Sequence, residues 1–165
     1  ELSLKSEYKR YSPPCVTQLP YNLITRGIED ECLEYCETHD VGLVVYNALA
    51  AGLLTGKHTS AKPVEGSRFD YSKMYFDRYF NNTNFQAIEA LTQVAEHAGI
   101  SLAELALRWL TSQPLVDSIL LGASRVEQME QNLGAFNNGD LAPDVLEACD
   151  HVWQQIRGGH FRYYR

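Results

Sequence analysis

Apolar and polar positions change period several times along the chain. "VGLVVYN", residues 41–47, is a near-continuous valine-rich run. Such runs suit strands buried on both faces, as in parallel sheets. Upstream, "SPP" at residues 12–14 is a breaker, and "CVTQLPYN" reads as a short strand over residues 15–19. Ile28, Cys32 and Tyr35 then recur at helical spacing, with acids in the first turn. Phe85, Ile88, Leu91 and Ala95 form a second helical stripe. "SLAELALRWL" opens with a capping box, Ser101 and Glu104, and is apolar almost all round, which predicts a buried helix. "VDSILLGAS" reads as a third strand. Ser124 and Glu127 form a second capping box, and Val126, Met129, Leu133 and Phe136 stripe the helix behind it. A last helix over residues 143–156 carries Leu146, Cys149, Trp153 and Ile156 on one face.

Strands alternating with helices in this order predict an α/β fold with a parallel sheet. The chain's 165 residues suit one domain. A closed (β/α)₈ barrel needs eight strands and roughly 250 residues, so this chain could supply three units of such a barrel, not a whole one. The polar stretch from Gly56 to Asn84 exceeds ordinary loop length, which predicts a functional or mobile segment.

Composition narrows the function. Hydrophobic residues make up 45% and charged residues 21%, an ordinary globular balance. The formal net charge of −7 argues against nucleic-acid or anionic-membrane binding, and an anionic ligand would need a local basic site. Cys15, Cys32, Cys36 and Cys149 do not form a disulfide framework, so a reducing, cytoplasmic setting is expected. No apolar run has membrane-span length, and the charged opening is not a signal peptide. The chain begins at Glu1 in mid-pattern, which points to an upstream part. Cys32, Cys36 and His39 lie near one helix face, but no second ligand pair accompanies them, so a metal site is not expected.

Two stretches carry candidate chemistry. In "LLGASRVEQMEQN" a strand ends, Gly122 allows close approach, and a helix begins near Ser124. Free backbone N–H groups there suit a phosphate, and Arg125 adds a forked cation. Gln128, Gln131 and Asn132 lie a turn further on, within reach of a base edge. On spacing alone, a plain helix cap at Ser124 is the commoner meaning. In "YNALAAGLLTGK", Tyr46 ends a buried strand, where α/β folds place ligands. Its ring is either a stacking platform or a core tyrosine. Gly52, Gly56 and Lys57 follow, but His58 after Lys57 breaks the P-loop spacing.

"VTQLPYN", "VVYNALAAGLLTGK", "EGSRF" and "ILLGASRVEQMEQNL", in this order, resemble the C-terminal half of an aldo-keto reductase. The look is nearest to the aflatoxin-aldehyde reductase-like and bacterial branch, and it covers nearly the whole chain. The resemblance implies a (β/α)₈ barrel that reduces aldehydes and ketones to alcohols with NADPH, of which residues 1–165 are one partial domain, about strands 6–8 with their helices. Gln18 would hydrogen-bond the nicotinamide carboxamide, and Tyr46 would stack on the nicotinamide ring. Asn47, Ala48, Leu49 and Ala51 would line the diphosphate path, with Lys57 and Arg68 closing over it. Gly122, Ser124 and Arg125 would hold the 2′-phosphate, and Gln128, Gln131 and Asn132 the adenine end.

The family form at the opening of the loop is Tyr-Ser-Pro-Leu, often with Ala-Gly-Gly. Here it is Tyr46-Asn47-Ala48-Leu49 with Ala50-Ala51-Gly52, so Ala51 must adopt whatever backbone angle a glycine would have used. The family's tyrosine acid, lysine, aspartate and histidine belong to the first half of the barrel. Tyr8, Lys9 and Tyr11 do not match their pattern, so no catalytic residue is assigned. Arg162 and Arg165, in an aromatic and basic tail, would meet an acidic carbonyl substrate. Exposed parallel strand edges predict instability or self-association of this chain alone. A nucleotide-binding interaction module without catalysis, or an inactive fragment, is the alternative the residues leave open.

Overall fold

The computed structural model describes residues 2–159. Helix α1 (Leu2–Lys9) leads into strand β1 (Val16–Pro20), and α2 (Cys32–His39) returns the chain to β2 (Gly42–Tyr46). A long excursion follows, with a 3₁₀ segment at Ala50–Thr55 and helices α3 (Arg68–Tyr71), α4 (Lys73–Tyr79), α5 (Asn82–His97) and α6 (Leu102–Thr111). The chain then forms β3 (Ser118–Ile119), α7 (Val126–Ala135) and α8 (Pro143–Ile156). The strands pair in parallel in the order β1-β2-β3, with Gln18 opposite Val44 and Val44 opposite Ser118.

Local chemistry explains the helix boundaries. The Ser101 hydroxyl accepts the Glu104 amide at 3.1 Å, the cap read from the sequence. Glu104 does not need to reach back, because its carboxylate binds Arg108 and Asn138. Asn81 caps α5 by accepting the Asn84 amide at 2.9 Å. Pro143 opens α8, where its missing N–H costs nothing.

The sheet has two unlike faces. Leu43 and Val45 are fully buried beneath the helices, with Leu19, Ile119 and Leu121 packed beside them. Leu91, Leu105, Ala106, Trp109 and Leu110 continue this core into α5 and α6, and α8 packs on α5. Each fully buried leucine contributes about 1.5–3 kcal/mol. The opposite face carries Val16, Gln18, Val44, Tyr46, Ser118 and Leu120, alternating out of register with the core residues. Val16 and Leu120 on it are 54% and 45% exposed. The valine-rich β2 therefore has only one fully covered face among the described residues.

Several expectations need correction. The helix expected from Ile28 is interrupted: a 3₁₀ turn spans Gly27–Glu29, and α2 restarts at Cys32 with shifted phase. Cys36 is consequently the buried residue, while Tyr35 is exposed and stacks on His39. The third strand shrinks to Ser118 and Ile119, which lie in register with Val44 and Val45, and the flanking Asp117 and Leu120 amides add the last bonds to β2. The stretch after Gly56 is not a plain loop, since Phe69 and Tyr79 bury themselves and nucleate α3 and α4. The second capping box is not formed. Arg125 occupies the N-cap position of α7, and Ser124 pairs with Gln128 instead. The stripe on α7 is split: Val126 and Leu133 are 69% and 52% exposed, whereas Met129 is half-buried and Phe136 packs against the core.

Candidate functional site

The carboxyl ends of the strands converge on one edge. The Tyr21 amide donates to the Tyr46 carbonyl at 3.2 Å, tying the end of β1 to the end of β2. The Leu120 amide donates to the Val45 carbonyl at 2.8 Å, setting the exit of β3 beside them. The loops after β2 and β3 thus leave from neighbouring strands. Tyr46 and Gln18 lie on the bare face that these loops border.

Asn47 organises the first loop. Its φ of +62° is left-handed, a conformation asparagine tolerates better than most residues. Its Nδ2 donates to the Tyr79 hydroxyl at 2.6 Å, and its Oδ1 accepts the Ala51 amide at 2.7 Å. Asn22 Nδ2 donates to the Asn47 carbonyl at 2.9 Å, which anchors the loop to the turn after β1. Left-handed residues follow in quick succession: Ala50 (+49°), Ala51 (+58°) and Gly52 (+102°). Alanine in this region costs about 1–2 kcal/mol. Ala51 does take up the glycine-like angle its place in the motif demanded.

This geometry limits what the loop backbone can offer. The amides of Ala50, Ala51, Gly52, Leu54 and Gly56 all donate within the loop itself. An anion at this edge would therefore be met chiefly by side chains. Lys57 is exposed and leans over Gly52: a Cβ on Gly52 would lie 3.9 Å from its Nζ. Arg68 is exposed, with its guanidinium 5.3 Å from the centre of the Tyr75 ring. Ala48 is buried and Leu49 half-buried.

Two further residues sit beside these cations. His58 and Ser67 are 6% and 7% exposed, and His58 Nε2 and Ser67 Oγ have no hydrogen-bond partner. Burial, and then the Lys57 charge, lower the His58 pKa below its usual value. In the sequence His58 showed only as the residue that breaks P-loop spacing, and Ser67 only as a member of the EGSRF motif, without a role of its own. Tyr79, which holds Asn47, lies in the long polar stretch that the sequence marks by its length alone.

On the second loop, Gly122, Ser124 and Arg125 are exposed, and a Cβ on Gly122 would meet nothing within 4 Å. Gln128 folds back, accepting from the Ser124 amide and hydroxyl at 3.2 and 3.1 Å. Gln131 is exposed, whereas Asn132 is buried in the side of α7. Arg162 and Arg165 lie outside the described residues. Cys36 lies against Cys32, and burial pushes its thiol up to about 11, so it stays protonated at neutral pH.

A model of the aldo/keto reductase family matches residues 3–154. The chain is 34% identical over 167 residues to aflatoxin B1 aldehyde reductase member 2 of Rattus norvegicus, covering 92% of this chain and 46% of that protein. It is 33% identical over 145 residues to a probable voltage-gated potassium channel subunit beta of Arabidopsis thaliana, covering 86% of this chain and 44% of that one. Among solved structures, glycerol dehydrogenase AKR11B4 of Gluconobacter oxydans superposes with a TM-score of 0.72 at 26% identity, over 92% of this chain and 46% of that chain. The chain spans about half the length of the relatives it matches. The parallel α/β arrangement is that of the C-terminal part of a (β/α)₈ barrel.

Proposed function

The chain belongs to the aldo/keto reductase family, and from that premise we propose that it forms the cofactor-binding part of an NADPH-dependent reductase of aldehydes and ketones. One observation carries the reading. Tyr46 and Gln18 share the bare face of the sheet, and the chain leaving β2 and β3 carries Lys57, Arg68 and Arg125 as exposed cations. In a chain of net charge −7 these cations form the kind of local basic site that a polyanion requires. The donor set fits a dinucleotide: flat ring and amide on the face, cations at the rim.

When bound, NADPH supplies the hydride that reduces the carbonyl carbon. The chain's own residues bind and orient. Tyr46 offers its ring as a platform for the nicotinamide, and Gln18 a hydrogen-bonding amide for the carboxamide. Lys57 and Arg68 neutralise the diphosphate, beside Asn47, Ala48, Leu49 and Ala51. Gly122 leaves room at the second loop, where Arg125 and Ser124 take the 2′-phosphate, and Gln128 and Gln131 reach the adenine. Asn132, buried in the side of α7, holds the adenine end with them. No catalytic proton donor is assigned within this chain. The same proposal includes a small carbonyl substrate and a reducing, cytoplasmic setting. No helix among the described residues is long and apolar enough to cross a membrane.

The deciding experiment is cofactor titration of the full protein with Arg125→Ala. NADPH should weaken about tenfold or more, the worth of a charge-assisted contact, while NADH changes little. Equal weakening of both would remove Arg125 from the 2′-phosphate. A second reading, a nucleotide-binding subunit without turnover, is favoured by one observation. A relative of nearly equal identity bears the name of a channel subunit rather than of a reaction. Tight NADPH binding without carbonyl-dependent NADPH oxidation would select that reading.

A further inference from the structure

A second cleft opens at the amino ends of β1 and β2, the far end of these strands from Tyr46. Tyr11 and the Pro13–Pro14 pair line it from the segment before β1, and Tyr35, His39 and Val41 from the end of α2. Its volume is about 420 Å³, within the range of small-molecule pockets. The backbone holds both walls. Helix α1 ends on Arg10 at φ +56°, with the Tyr11 amide donating to the Ser6 carbonyl at 2.8 Å. Helix α2 ends on Asp40 at φ +52°, with the Val41 amide donating to the Cys36 carbonyl at 2.9 Å. These left-handed helix ends fix where Tyr11 and Val41 leave, and the prolines stiffen the chain that follows Tyr11. The Gly42 amide donates to the Cys15 carbonyl at 2.9 Å, which ties the two segments together.

The chemistry of the lining is one-sided. The Tyr35 and His39 rings stack with centres 4.1 Å apart and planes 17° apart. His39 Nδ1 lies 3.1 Å from the Tyr35 carbonyl. A carbonyl can only accept, so Nδ1 carries the proton and Nε2 of the neutral ring is an acceptor. Glu7 also lines the cleft, and its carboxylate joins no ion pair or hydrogen bond among the described residues. No lysine or arginine lines it among the described residues: Lys5, Lys9 and Arg10 of the α1 region are not part of its wall. Along α2 beside it, Glu31, Glu34 and Glu37 are exposed acids. The faces of tyrosine rings carry partial negative charge and attract cations. The prolines and Val41 supply the apolar surface.

We propose that this cleft binds a small organic cation, a protonated amine with a hydrocarbon body. The ammonium group meets the Glu7 carboxylate and the tyrosine rings, and the body lies on Pro13, Pro14 and Val41. An anion would face the carboxylate without a countercharge, and a neutral ligand would leave it unmatched. Because both helix ends are already fixed, little of the site has to be ordered on binding. The cleft sits at the opposite strand ends from the proposed cofactor edge, so this assignment does not rest on the dinucleotide reading.

The test is an NMR titration of the full protein with 2-phenylethylamine and with 2-phenylethanol, which has the same body without the charge. The amine should shift the Tyr11, Tyr35 and His39 ring signals saturably and bind several-fold more tightly than the alcohol. Glu7→Gln should raise the Kd of the amine about two- to fivefold, the worth of an exposed ion pair, and leave that of the alcohol unchanged. Tyr11→Leu keeps apolar bulk but removes a ring face, and should also weaken the amine about two- to fivefold. Both residues are exposed, so the Tm of each variant should barely change. An amine that binds no more tightly than the alcohol would make the cleft a plain apolar groove and overturn the proposal. An amine whose Kd is the same in the wild type and both variants binds elsewhere, which overturns it too. So does the absence of saturable shifts at these rings.

Discussion

The belt around Arg26 and the loop after β2 handle polar groups in opposite ways. Arg26 is buried between Trp109 and Trp153, its guanidinium 4.7 Å and 5.8 Å from their rings. It donates to Glu29 and to Asp150 at 2.7 Å each, and the Tyr21 hydroxyl donates to the same Glu29 carboxylate at 2.6 Å. Burial opposes the Arg26 charge, but Glu29 and Asp150 outweigh it and raise its pKa. Burial, reinforced by Glu29, raises the Tyr21 pKa, so that hydroxyl stays a donor. The belt closes on itself and staples the turn after β1 to α8. The loop instead keeps two left-handed alanines and leaves His58 and Ser67 donors unpaired. A closed network serves the fold, whereas strain and unmet polar atoms at a strand's carboxyl edge mark the loop on which the binding proposal rests.

The largest effect should come from breaking the belt. Arg26→Ala leaves Glu29 and the Tyr21 hydroxyl facing each other without the cation. The expected loss is about 3 kcal/mol, toward the low end for a buried pair because Asp150 is half exposed. Urea denaturation measures it, and a loss below about 1 kcal/mol would mean that the belt is not a staple. Cofactor binding should change less than stability does.

Asn47→Ala comes next. It removes the donor to Tyr79 and the acceptor for the Ala51 amide, and places alanine at φ +62°. A loss of about 2 kcal/mol is expected, together with weaker NADPH binding. Unchanged binding at reduced stability would make Asn47 a purely structural residue.

The contrast also explains what was legible in the chain. The strand-end Tyr46, the loop glycines and the basic residues Lys57, Arg68 and Arg125 stand in contiguous motifs, so local pattern marks the edge proposed for the cofactor. The α6 cap and the extent of α8 were equally local. Asn47's partner Tyr79 lies 32 residues on, and Arg26's partner Asp150 lies 124 residues on. No periodicity reports such pairs. The shift from Tyr35 to Cys36 on α2 follows from one short 3₁₀ turn that apolar spacing cannot register. The orphaned His58 and Ser67 donors are features of packing, with no trace in residue order. The bareness of one sheet face was hidden for another reason: β2 is apolar on both sides, and only tertiary contacts tell the sides apart.

A smaller effect tests the strain. Ala51→Gly should stabilise the protein by about 0.5 kcal/mol, the left-handed penalty of alanine less the extra unfolded-state entropy of glycine. A thermal melt resolves the sign. Destabilisation would show that the alanine methyl packs better than its angle costs, and the loop would then no longer count as strained.

The smallest effect is the pH dependence of His58. Burial, and then Lys57, hold its folded-state pKa below the usual 6.5. The unfolded chain therefore takes up a proton at a higher pH than the folded one does. Its contribution to stability is complete above pH 6.5, declines as pH falls through the folded-state pKa, and is flat below that. Melting curves from pH 7.5 to 5 should show a steeper acid loss for the wild type than for His58→Asn. A diphosphate bound at Lys57 would offset its charge, the smaller of the two causes, and raise the folded-state pKa part of the way back toward 6.5. Saturating pyrophosphate should then flatten the wild-type profile and leave the variant's shape unchanged. Parallel profiles with and without pyrophosphate would separate the buried histidine from the anion. His58 would then belong with the Arg26 belt, as a part of the fold rather than of the site.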